Sequence, residues 1–355
     1  MAPMDSITQM LFGATVAQAG FRRKLGRRAL VAGAIIASVP DLDAVAAWVG
    51  GRFAEWEHHR GLTHSLLFGP VVGPLIGWAI WRLEAWRSGL ARDRERLNAW
   101  IWLAVLSLVT HPLIDLFTSY GTQLLWPLTT TRFAIDSMPI IEPIYSTALL
   151  IALVIGTRSA VRPSTAQNAA GIALLFILVY SFAGWAINEK VERVAAADLG
   201  KPATVSAYPL LFQPYYRRVV AVTPEAAHVG YYSVLNPKPI VWTSYPRETG
   251  EPIAAARRSR EAALFEWFAM DKVLWRTMSD AGGRIMLVAT DLRYGMIGAT
   301  DAGQWGIRTT TSTANGGNGD GDRTRLQPFS VPRDASGAAF RRYWSDHYRP
   351  ESGGR

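Results

Sequence analysis

Up to about residue 188 the sequence is a succession of apolar blocks separated by short charged loops, and no other feature constrains the chain as much. A helix needs about 20 largely apolar residues to cross a hydrocarbon layer ~30 Å thick, because each residue rises ~1.5 Å. Five blocks approach that length, near residues 29–49, 62–82, 99–118, 138–156 and 168–188. A further block near 6–20 is shorter, and spans only if tilted or partly embedded. It lacks the basic start of a signal peptide, carries Asp5 instead, and is followed by "RRKLGRR", which suits an embedded first helix better than a cleaved leader. Trp48, Trp78, Trp81, Trp100, Trp102, Trp126 and Trp185 lie near block ends, where interfacial anchors belong. The expected fold is therefore an all-α polytopic membrane domain of five to six transmembrane helices over residues 1–188. A soluble α+β domain over residues 189–355 follows, where the sequence turns mixed and polar.

The basic residues orient this domain. Arg22, Arg23, Lys24, Arg27 and Arg28 fill the first loop, Arg82, Arg87, Arg92, Arg94 and Arg96 the third, and Arg158 and Arg162 the fifth. The second and fourth loops, near 50–61 and 119–137, are poor in them. Lysine and arginine mark cytoplasmic loops, so the even loops and the C-terminal domain are expected outside the cytoplasm, with the chain in the inner membrane. The same clusters account for much of the net charge of +9, and no nucleic-acid partner is expected. The chain has no cysteine, which excludes disulfides and thiolate metal sites.

Polar residues inside the blocks are costly, roughly 2.5–3.5 kcal/mol for a charge at mid-membrane on insertion scales, and each needs a reason. "SVPDLDAV" carries Asp41 and Asp43, the first about 18 Å along its block from the cytoplasmic end. On an unbroken helix the two would point nearly opposite ways; Pro40 removes a donor and lets them converge. "THPLID" sets His111 and Asp115 four residues apart on one helix face. "HHRGLTHS" sets His59 and His64 five apart around Gly61, so that a loop and a helix start can present both rings to one centre, while His58 points to water. Asp136 and Glu142 also enter from the outer side, as an interfacial charge and a helix-start carboxylate. Topology read from arginines alone thus gathers Asp41, Asp43, His59, His64, His111 and Asp115 toward one side. Imidazole and carboxylate without thiolate suit Zn²⁺ first, then Mn²⁺ or Fe²⁺. A set this large also permits two metals.

"MDSITQMLFGA", "PDLD", "HRGLTHS" and "HPLIDLFTSYGTQLLWP", in this order, resemble the LexA-regulated, inner-membrane-associated family of metal-dependent hydrolases. The resemblance covers about residues 4–190. It implies that Asp41, Asp43, His59, His64, His111 and Asp115 are metal-binding positions. Some relatives carry a histidine where this chain has Gln9.

In the C-terminal half, "RRVVAVTPEAAHVGYYSVL" reads as two strands with a turn near Pro224, and "GRIMLVATDLRYGMIG" and "WGIRTTTST" add further strands. "SREAALFEWFAMDKVLWRTM" has helical spacing through Leu264, Phe265, Phe268, Val273 and Leu274. "TANGGNGDGDRT" reads as a turn, and His228 and His347 as surface or packing residues.

These features point to a membrane-bound metal-dependent hydrolase working at the outer interface, with membrane lipids around it and an anionic, phosphoester or lipid-like substrate. Asp43 is the candidate general base, and Arg60 the candidate anion contact, because guanidinium matches a phosphate bidentately. A metal-carrying transporter or sensor could use the same residues. So could a structural protein whose polar groups only lock helices together.

Overall fold

The computed structural model describes residues 6–88, 93–158, 162–279, 285–295, 302–310 and 325–331. The segment "TANGGNGDGDRT" and His347 lie outside them. The first half is helical: α1 (Ser6–Gly20), α2 (Arg22–Leu25), α3 (Arg28–Ala37), a 3-10 turn (Pro40–Ala44), α4 (Val45–His58), a second 3-10 turn (Leu62–His64), α5 (Phe68–Ser88), α6 (Arg94–Asp115), α7 (Pro143–Thr157) and α8 (Pro163–Leu199). Contacts divide the chain into two units. One holds Met1–Val49 and His58–Ala186; the other holds Ile187–Arg355 together with Gly50–Glu57.

Three stretches among the described residues are long and apolar enough to cross a membrane: Arg28–His58, Arg94–Asp115 and Pro163–Leu199. This corrects the expected five to six. Helices α1 and α7 have 15 residues each, or about 22 Å of rise, short of the hydrocarbon thickness. Helix α5 has 21 residues, but Gly69, Pro70, Gly73, Pro74 and Gly77 dilute its hydropathy, and Arg82, Glu84 and Arg87 occupy its end. The first stretch is itself interrupted. Pro40 opens the 3-10 turn that carries Asp41 and Asp43, and Gly51 leaves the helical region at φ +70°.

Small residues let the helices of this unit approach closely, which matters where lipid offers no hydrophobic drive between them. Gly69, Gly73 and Gly77 recur every four residues along α5 and face α6; a Cβ on Gly73 would lie 2.8 Å from the Val105 backbone. Gly13 of α1 meets Gly33 of α3 in the same way, carbonyl against glycine. Around these contacts pack Phe12, Trp100, Leu103, Met138, Tyr145, Leu149 and Ile177, the buried centre of the unit.

The second unit contains two four-stranded antiparallel sheets, each in sequence order. The first comprises β1 (Thr204–Leu210), β2 (Gln213–Val222), β3 (Ala226–Ser233) and β4 (Thr243–Pro246). Helices α9 (Glu251–Arg257) and α10 (Arg260–Phe268) lead to the second, with β5 (Val273–Ser279), β6 (Ile285–Asp291), β7 (Trp305–Thr310) and β8 (Arg325–Ser330). The strands read from the sequence around Pro224 are β2 and β3. The expected helix through Leu274 is shorter than its pattern suggested. Ser259 caps its start by accepting from Ala262 N–H, and Met270 and Asp271 end it with left-handed backbone (φ 49° and 61°). Val273 and Leu274 therefore belong to β5. Trp56, from the segment Gly50–Glu57, stacks on Phe268 at 5.2 Å between ring centroids and tilts against Phe265 at 5.1 Å. Arg293 and Asp291 form a fully buried pair at 2.7 Å; burial alone would lower Arg293, but Asp291 together with Tyr294 and Tyr208 holds the guanidinium above its ordinary value. His228 is a packing residue, as expected, with Nδ1 2.7 Å from Ser244 Oγ.

Gly73→Val should force α5 away from α6 and lower stability by about 1–3 kcal/mol. A clear drop in melting temperature of the full chain in detergent is the expected result, and an unchanged melting curve would show that the close approach is not needed.

Candidate metal centre

The site lies within the first unit and is assembled by three stretches: the 3-10 turn after α3, the loop "HRGLTH" after α4, and the last turn of α6. His111 and Asp115 share a face of α6 as their spacing predicts, with Nε2 and Oδ2 3.6 Å apart. The loop is pinned by residues that follow α6. Gln123 N–H donates to Arg60 O at 2.9 Å, Leu66 N–H to Leu124 O at 2.9 Å, and Ser65 Oγ to Trp126 O at 2.6 Å.

Four ligand-type atoms converge. His64 Nε2 lies 3.1 Å from His111 Nε2, 3.8 Å from Asp41 Oδ1 and 3.3 Å from Asp115 Oδ2. His111 Nε2 lies 3.4 Å from Asp41 Oδ1. Asp41, His64 and His111 each offer an atom within 4.8 Å of the other two. Both histidines are fully buried.

The other ring nitrogens decide what these atoms can do. His111 Nδ1 faces the Ala37 carbonyl at 2.6 Å, which only accepts, so Nδ1 carries the proton. His64 Nδ1 faces Asp43 Oδ2 at 3.0 Å, and the same reasoning applies. In the neutral rings both Nε2 lone pairs then point at each other. Asp41 Oδ1 and Asp115 Oδ2 accept no hydrogen bond although both are buried. Lone pairs and anionic oxygens turned toward one point repel unless a cation lies among them. Bonds of about 2.0–2.1 Å in a tetrahedral zinc site place neighbouring ligand atoms roughly 3.3–3.4 Å apart. The separations of 3.1–3.8 Å bracket that value, so the donor set fits a divalent ion without thiolates.

Asp43 stands behind this group. Its Oδ1 is 2.6 Å from His59 Nδ1, and its Oδ2 accepts from Arg60 N–H at 3.0 Å and Thr63 Oγ1 at 2.8 Å besides meeting His64. Asp41 and Asp43 thus do not meet at one point but straddle the His64 imidazole. His59 is placed against Asp43 and, edge to face, against Tyr120 at 5.4 Å. His58 is exposed, as expected. Arg60, with φ +60°, is fully buried; its Nε lies 3.2 Å from Asp115 Oδ2 and its Nη1 donates to Thr118 Oγ1 at 2.8 Å. Residues that the pattern of histidines and aspartates did not signal complete the shell. Gln9 Nε2 donates to Asp115 Oδ1 at 3.0 Å, and Ser6 Oγ to Asp41 Oδ2 at 3.3 Å. Gln9 did carry a trace, as the place where some relatives have histidine; Thr63 and Ser6 carried none.

Apolar helices enclosing a buried histidine–aspartate cluster define a membrane protein with a built polar centre. The chain belongs to the YdjM inner membrane protein family, whose family profile matches residues 4–190 and so contains every residue of the cluster. It is 40% identical over 108 residues to inner membrane protein YbcI of Escherichia coli, covering 30% of this chain and 57% of that protein. It is 28% identical over 119 residues to the uncharacterized protein YfhP of Bacillus subtilis, a third of each chain. The matched stretches thus span about half and a third of these relatives. No solved structure matches the chain. Membership supports the inner-membrane part of the expectation; control by LexA and hydrolysis are not part of it.

Asp43→Asn would release one side of the His64 ring while leaving every converging atom in the chain. Partners that orient a ligand histidine typically contribute about 10–100-fold to metal affinity. A loss of that size for Zn²⁺, measured against a competing chelator, is the expected outcome, with His58→Ala unchanged as the control. Equal affinities in the two variants would remove Asp43 from the site.

Proposed function

We propose that this chain is a membrane-bound, metal-dependent hydrolase that works at the outer face of the inner membrane on a phosphoester or other lipid-like substrate. The observation that carries the reading is the convergence of two Nε2 lone pairs with two hydrogen-bond-free carboxylate oxygens in a buried site. Asp41, His64, His111 and Asp115 would hold the ion. When bound, a divalent metal lowers the pKa of its water and polarises the bond to be cleaved. The chain's own residues prepare the site. Asp43 fixes the His64 tautomer and the loop, and with four donors on its two oxygens it acts by positioning. Gln9 and Arg60 hold Asp115 from two sides, so that its carboxylate cannot turn away. Arg60 serves the anionic substrate indirectly in this reading, by keeping Asp115 in place. A site that only locked helices together would have no reason to leave the buried Asp41 Oδ1 without a donor.

Purified full-length protein loaded with Zn²⁺ should cleave a chromogenic phosphodiester in detergent. His111→Ala should lower turnover at least about 100-fold, in line with the effect of losing a metal ligand or its support, while the variant still inserts into membranes. Turnover equal to wild type in that variant, or none in the loaded wild type over a panel of phosphoesters and carboxyl esters, would remove the hydrolytic reading.

The orientation has its own test, motivated by the basic clusters at 22–28, 82–96 and 158–162 and the scarcity of basic residues near 50–61 and 119–137. A reporter that is active only in the cytoplasm, fused after Arg355, is expected to stay silent. Strong reporter activity would place the C-terminal half, and the outer address of the site, on the wrong side.

A further inference from the structure

Glu142 is a buried carboxylate that the metal centre does not use. It is 3% exposed and stands at the start of α7, where Oε1 accepts from Ile144 N–H at 3.0 Å. Capping accounts for that oxygen. It does not account for the choice of residue, since Ser, Thr, Asp and Asn are the side chains that helix starts prefer. The second oxygen, Oε2, is buried and has no hydrogen-bond partner. An ionised carboxylate left in that condition carries a large desolvation cost unless a donor or cation comes to it.

Beside Glu142 lies a cavity of about 30 Å³, lined also by Thr8, Gln9, Asp115 and Tyr145. A site for one water needs at least roughly 10–15 Å³, so the space admits a small polar group. Among the described residues that line it there is no lysine, arginine or histidine. Asp115 has Arg60 at Oδ2, which leaves Glu142 as the uncompensated charge of the cavity. The rest of the wall, including Ile114 and Ile140, is apolar and suits methylene groups. Asp115 lines this cavity and also belongs to the converging set, so the two places are contiguous.

We propose that this cavity is a subsite for a primary alkylammonium group, bound by Glu142 Oε2, and that it selects the amine end of the substrate. The identification of the amine's owner as a substrate rests on the hydrolase reading above; the subsite itself does not. A primary ammonium supplies N–H donors and positive charge in a volume near that of water. A trimethylated one has no N–H donor to offer Oε2. The chemistry is that of an ethanolamine headgroup, whether on a membrane lipid or on free phosphoethanolamine.

The test uses the full chain, reconstituted in vesicles of equal phosphatidylethanolamine and phosphatidylcholine, then extracted gently. Retained lipids are counted by native mass spectrometry and metal by elemental analysis on the same samples. Wild type should retain the ethanolamine lipid at least about fivefold over the choline lipid. Glu142→Gln should bring the ratio to near one without changing bound metal, and Glu142→Asp, which keeps the charge and the cap, should retain part of it. Displacement of the lipid by an excess of soluble phosphoethanolamine would identify the free headgroup as the ligand, and resistance to it the lipid. A wild-type ratio of one overturns the proposal whether or not either variant folds, and so does an unchanged ratio in Glu142→Gln. Metal without lipid preference would sink the subsite alone. Lipid preference without metal would sink the hydrolase reading and leave the subsite standing.

Discussion

The imidazole of His64 is the element on which the rest of the site depends. It is fully buried and addressed from both ends, by Asp43 at Nδ1 and by His111, Asp41 and Asp115 around Nε2. The contact at Nδ1 settles which nitrogen keeps the proton, and therefore which offers a lone pair. Everything else in the neighbourhood can be read as holding that ring or the groups it faces. Thr63 and Arg60 N–H bring Asp43 into place, and segment 122–126 holds the loop that carries Arg60, Thr63 and His64.

That arrangement explains why polar groups are tolerated within an apolar unit. A lone carboxylate there would be expensive, but each carboxylate of the cluster meets several partners at once: Asp43 has four donors, and Asp115 has Gln9, Arg60 and the two histidines. Asp41 Oδ1, left without a donor, faces the two Nε2 atoms. Trp100, Leu103 and Leu149 belong to the apolar core of the same unit. The close glycine contact between α1 and α3 serves the same end, by bringing the backbones near enough for a side chain as short as Ser6 to reach Asp41.

The second unit follows different rules. Its sheets are meanders in which strands adjacent in sequence lie side by side. Its buried charges are met both locally, as with Asp291 and Arg293 two residues apart, and over long range, as where Arg218 donates to the Leu292 and Ala302 carbonyls. The family profile ends at residue 190, close to where this unit begins.

Much of the site was legible in the sequence. The spacing of His111 and Asp115 placed them on one helix face, Pro40 announced the break that frees Asp41 and Asp43, and the absence of cysteine limited the chemistry to nitrogen and oxygen donors. Local pattern carries such information because helix geometry converts spacing directly into direction. Three matters required the tertiary structure. The number of helices long enough to cross a membrane fell to three, since length, glycine and proline content, and the breaks at Pro40 and Gly51 act on the helix as built and not on a hydropathy block. The division of labour within the histidine and aspartate set, with Asp43 behind His64 and Asp41 in front of it, depends on which ring atom each carboxylate reaches, and spacing along the chain holds no such information. The helpers Gln9, Ser6 and Thr63, and the unpartnered oxygen of Glu142, are ordinary polar residues in the sequence. Only the packing of α1, the loop and α7 against the end of α6 shows which of them is aimed at a charge and which is left without one.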